Sequence, residues 1–64
     1  MENKGIITGG ISGYVLIHKG PWAEEVQELF GSDTLPLPWT LAADVNEIKA
    51  DLERRNPDVK FEIE

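Results

Sequence analysis

Nothing can staple this chain: it has 64 residues and no cysteine, so packing alone must hold whatever it folds into. A chain this short buries only about 60% of the surface that its unfolded form exposes. Its core is therefore small, and one domain spanning residues 1–64 uses the whole length. Small cores without crosslinks commonly gain stability by association, which makes a homo-oligomer an early expectation. The missing thiols also exclude cysteine-based metal sites and fit a reducing compartment.

Short-range patterns divide the chain into five elements. Gly5-Ile6-Ile7-Thr8-Gly9 places β-branched residues between glycines and reads as a strand. Gly9-Gly10-Ile11-Ser12-Gly13 supplies several turn positions, and Tyr14-Val15-Leu16-Ile17-His18 reads as a second strand, completing a hairpin. Both sides of that second strand are apolar, with Tyr14, Leu16 and His18 on one and Val15 and Ile17 on the other. Such a strand suits the middle of a sheet.

Gly20-Pro21 opens a helix in which Trp22, Val26, Leu29 and Phe30 recur at helical spacing. Glu24 and Glu25 suit its first turn, and Gly31 suits its C-terminal cap. Leu35-Pro36-Leu37-Pro38-Trp39 cannot be helical, because each proline drives the residue before it toward extended backbone. A second helix begins near Thr40 or Asp44. The longer version, with Thr40 as cap, is preferred because it aligns Leu41, Val45, Ile48 and Leu52. Asn56-Pro57 ends it, and Val59-Lys60-Phe61-Glu62-Ile63-Glu64 alternates with the period of a half-buried strand.

The expected fold is therefore α+β, in the order ββααβ. A three-stranded antiparallel sheet carries two helices on one face, and the last strand runs antiparallel to the second. That layering leaves the other face uncovered. If Val15 and Ile17, or Tyr14 and Leu16, line it, an apolar surface is left for a partner.

Twelve acids stand against six bases, for a net charge of −6. A field of that sign repels phosphate, so direct nucleic-acid binding is not expected. Lys4, Lys19, Lys49, Arg54, Arg55 and Lys60 are scattered along the chain. No segment approaches the about 18 apolar residues of a membrane span. The N-terminus lacks the basic and apolar runs of a signal peptide, and a cytoplasmic protein is expected.

No recognisable catalytic, cofactor-binding or metal-binding constellation is present, and no enzyme is expected. The glycine-rich start matches neither a dinucleotide nor a P-loop pattern, and a strand follows it where those motifs need a helix. His18 is the single histidine and has no companion ligand or nucleophile in a catalytic context. The Leu35–Trp39 segment is the feature least explained by packing. Prolines limit the entropy lost on docking, and tryptophan is common at interface hot spots.

The expected function is accordingly a small acidic interaction module. It self-associates or docks on a protein partner through the open sheet face and the 35–39 segment. The residues singled out are Leu35, Leu37, Trp39, Val15, Ile17 and Tyr14. One alternative is an acidic inhibitor that imitates nucleic acid in a basic cleft. Another is a ligand-binding protein or enzyme with a site between subunits, which would need His18 or Tyr14 in a shared pocket.

Overall fold

The structure, a computed structural model, describes residues 2–10, 13–38 and 44–64. Strands β1 (Lys4–Gly10) and β2 (Gly13–Lys19) form the expected hairpin, paired antiparallel from Lys4 opposite Lys19 to Gly10 opposite Gly13. The turn expected over residues 9–13 lies partly outside the described residues.

Helix α1 (Pro21–Phe30) follows with proline in its first turn and Gly31 as a left-handed C-cap, whose N–H donates to the Gln27 carbonyl at 2.8 Å. Both ends match the sequence pattern. The N-cap residue, Gly20, has no side chain to offer, and Asn3 takes that role from the start of the neighbouring strand. Its Oδ1 accepts the Trp22 backbone N–H at 3.0 Å. Gly20 itself has φ +92°, and a Cβ there would sit 2.5 Å from the Glu2 carbonyl oxygen. Only glycine accepts both that backbone and that approach.

The sheet departs from the expected three antiparallel strands. It is four-stranded and mixed, in the order β3-β2-β1-β4, with β3 at Thr34–Pro36 and β4 at Lys60–Ile63. The additional strand comes from the proline-rich segment, which pairs antiparallel with β2. The Leu37 N–H donates to the Tyr14 carbonyl and the His18 N–H to the Asp33 carbonyl, both at 2.8 Å. These bonds turn alternate residues inward, leaving the nitrogen of Pro36 on the free edge, where it needs no hydrogen.

With β1 and β3 on its two sides, β2 has no edge left for the last strand. β4 therefore pairs with β1, in parallel, from Lys4 beside Lys60 to Ile7 beside Ile63. It still runs opposite to β2, as expected, but it is not that strand's neighbour.

Helix α2 spans Val45–Arg55. Asp44 is extended, at φ −72° and ψ 119°, and its side chain accepts the Asn46 N–H at 2.9 Å. The helix thus starts at the shorter of the two expected positions, since an N-cap residue leaves helical geometry to make that bond. Thr40 and Leu41, on which the longer version rested, lie outside the described residues.

Alternation along the strands assigns two faces. Gly5, Ile7, Tyr14, Leu16, His18, Leu35, Phe61 and Ile63 share one, by register. Both helices pack there: Ile48 and Leu52 of α2 join Ile7, Leu16 and Phe61 in the buried core, and Trp22 of α1 packs against it. The Phe61 ring reaches this position by lying over Gly5, where a Cβ would be 2.7 Å from two ring carbons.

The apolar stripe of α1 is only partly engaged: Leu29 is 77% and Phe30 65% exposed, and no residue of the helix is buried. Spacing shows which residues share a side of a helix, not how far the sheet extends beneath them. Here only the N-terminal half of the stripe is engaged.

Gly5→Ala should lower stability by about 1–3 kcal/mol, the usual cost of forcing extra volume into a packed core. Urea denaturation reads this, and an unchanged midpoint would mean that the Phe61 ring does not rest on the glycine. Ile48→Ala should cost about 2–5 kcal/mol in the same assay, whereas Leu29→Ala should stay within about 0.5 kcal/mol.

Candidate functional site

The second sheet face carries Lys4, Ile6 and Thr8 from β1, Val15, Ile17 and Lys19 from β2, Thr34 and Pro36 from β3, and Lys60 and Glu62 from β4. Neither helix packs on it, since both lie against the core. At its centre Ile6 pairs with Ile17 and Thr8 with Val15, all half-buried. Among the described residues this is the uncovered apolar surface that the layering implies.

Register brings together charges that are far apart in sequence. Lys4 lies opposite Lys19 on one side and beside Lys60 on the other, so the three form one row across β2, β1 and β4. Glu62 of β4 lies on this face and meets Lys4 at 2.9 Å. Lys60 meets Glu2 at 3.5 Å, from a pair whose side chains are both 75% exposed. Lys19 makes no ion pair among the described residues. Exposed pairs of this kind contribute little stability; with Lys4 and Lys60 each beside an acid, Lys19 is the lysine of the row left without one among the described residues, next to an apolar centre.

The rest of the molecule has the opposite sign or none. α1 contains Glu24, Glu25 and Glu28 and no base. α2 balances itself, with Lys49 at 3.7 Å from Glu53, Arg54 at 2.7 Å from Asp51, and Arg55 Nε 3.0 Å from the other Asp51 oxygen. That last contact is an ion pair without an aligned hydrogen bond. The formal charge of −6 thus averages over an acidic helix side and a basic strand end.

The sequence-derived residues separate in space. Val15 and Ile17 lie together on the open face. Tyr14 is on the covered face and packs against the core, as does Leu37. Leu35 shares that covered face, half-buried in β3. Trp39 lies outside the described residues. The lysine row was not singled out from sequence, although the expected hairpin brings its two ends, with Lys4 and Lys19, together. The place of Lys60 depends on which strand β4 joins.

His18 is committed to the fold. It is 6% exposed, its Nδ1 donates to the Asp33 carbonyl at 2.8 Å, and its ring meets that of Trp22 at 4.6 Å between centroids. A carbonyl only accepts, so the Nδ1 proton is assigned by its partner. No group of three metal-ligating side chains and no cavity occurs among the described residues.

Adjacent substitutions test the face assignment. Leu16→Thr, on the covered side, should cost about 2–4 kcal/mol through lost burial and a new buried hydroxyl. Ile17→Thr, on the open side, should cost at most about 1 kcal/mol, because threonine suits a half-exposed strand. Equal losses would contradict the assignment. Compared with known proteins, the chain matches no family model, no curated protein and no solved structure.

Proposed function

We propose that this protein is a small interaction module whose working surface is the open sheet face. The observation that carries this reading is the combination on one face of Ile6, Val15 and Ile17 with the Lys4, Lys19 and Lys60 row. An apolar centre beside a lysine row, in which Lys4 and Lys60 are paired with Glu62 and Glu2 and Lys19 is not, supports docking of a partner with apolar groups and an acidic flank. Burial of the β-branched side chains supplies affinity, and the lysines orient and accelerate the encounter.

The same row weighs against imitation of nucleic acid, because clustered bases interrupt the acidic field that such imitation needs. The Leu35–Trp39 segment contributes less to this reading than its composition implies, since Leu35 and Leu37 turn toward the covered side.

Capture from the native cell extract, comparing the parent with an Ile17→Lys/Val15→Thr variant, tests the proposal. Proteins retained by the parent should be lost or reduced at least tenfold on the variant, with both chains folded by circular dichroism. An identical retained set on both would sink it.

A further inference from the structure

We propose that the outer edge of β4 pairs antiparallel with the same edge of a second copy of this chain, about a twofold axis beside Phe61. This contact uses an edge of the sheet and is separate from docking on the open face.

The sheet ends in β3 on one side and β4 on the other, and the two edges differ. At β3, Asp33 and Leu37 bond to β2, so Thr34 and Pro36 face outward. Pro36 has no N–H. The Thr34 N–H donates to Ser32 Oγ at 3.1 Å, and the Thr34 carbonyl accepts from the same hydroxyl at 3.2 Å. A further strand finds little to bond there.

β4 has no such protection. The Lys60 N–H donates to the Asn3 carbonyl and the Glu64 N–H to the Ile7 carbonyl, so alternate residues of β4 bond inward to β1. Trans peptides turn the carbonyls of Val59 and Ile63 the other way, and alternation places both polar groups of Phe61 and the Ile63 N–H beside them. No partner for these groups occurs among the described residues. The Ile63 side chain lies on the helix-covered side and is still 41% exposed. Such an edge accepts an extended strand.

The order Lys60-Phe61-Glu62 selects a second copy as that strand. Setting Phe61 opposite Phe61 of the second copy matches the outward N–H and carbonyl groups of both chains. It also sets Lys60 opposite Glu62 of the second copy, twice by symmetry, and Ile63 opposite Val59. Opposite charges across a strand pair are favourable and like charges are not. Glu62 keeps Lys4 on its other side and Lys60 keeps Glu2, so charge alternates through the junction. Sliding by two residues sets Lys60 against Lys60 one way and Glu62 against Glu62 the other. The charges that discourage indiscriminate strand addition are thus complementary to this chain itself. The two sheets become one, with both open faces on the same side.

Charge reversal tests this on exposed side chains. Sedimentation velocity over a concentration series should show the parent dimerising. Lys60→Glu alone sets acid against acid, and Glu62→Lys alone sets base against base. Each should associate at least about tenfold more weakly than the parent. An equimolar mixture of the two should restore a dimer, and so should the double reversal Lys60→Glu/Glu62→Lys, with all chains folded by circular dichroism.

A parent that stays monomeric at every concentration overturns the proposal, as does a mixture of folded variants that fails to combine. Should Glu62→Lys unfold, Ile63→Pro takes its place, because it removes an outward N–H and no bond to β1; dimerisation unchanged by it overturns the contact. Ile17→Lys/Val15→Thr should dimerise like the parent. If that variant is monomeric while the charge reversals are not, the open face is the interface and the edge contact is wrong.

Discussion

One indole hydrogen ties the two layers of this molecule together. Trp22 Nε1 lies 3.1 Å from the Lys4 carbonyl and 2.7 Å from that of Lys19, the two residues that face each other at the open end of the hairpin. The same ring meets His18 at 4.6 Å and Phe61 at 6.1 Å, each nearly edge-on. Helix α1 is thereby fastened to both strands and to β4 at its first turn, and at little else. The tight Gly20 backbone, the remote cap from Asn3 and the bare Gly5 beneath Phe61 all serve to bring that ring in. The distal half of α1, with no comparable anchor, leaves its apolar side uncovered.

How much was legible follows from the range of each interaction. The hairpin, both ends of α1, the end of α2 and the final strand depend on residues a few positions apart, and all are visible in the sequence. The one-sided layering of the helices was legible too, because two amphipathic helices need one apolar sheet face. Strand neighbours were not. That Leu35 pairs with Leu16, and that β4 turns to β1, depends on which edge remains open once others are filled, and no local pattern encodes that. The site followed the same rule: Val15 and Ile17 were readable from alternation, whereas the lysine row needed the pairing of β4. The exposure of Leu29 and Phe30 is of a third kind, since helical spacing carries no information about the extent of the opposing sheet.

Net charge describes this protein poorly. α2 pairs its own bases with its own acids, α1 has three glutamates with no ion pair among the described residues, and the strands gather three lysines at one end of the open face, two of them beside acids. A partner at contact range meets one of these local fields rather than their sum, because screening confines each to about 8–10 Å at ordinary ionic strength. The exposed ion pairs on the strands add little to stability. Their relevance is to orientation, and it lies on the face where neither helix intervenes.

The parallel pairing of β1 with β4 has a consequence during synthesis. β1 is made before the rest of the sheet, and its outer edge is closed by residues 60–63, which arrive only after both helices. Until then a half-finished sheet presents an open backbone edge carrying Ile6 and Ile7, the kind of edge on which strands from other chains add. Contacts so distant along the chain also slow folding relative to local ones. A short chain thus acquires the long waiting time of a larger one, and the interval before β4 docks is when it is most exposed to aggregation.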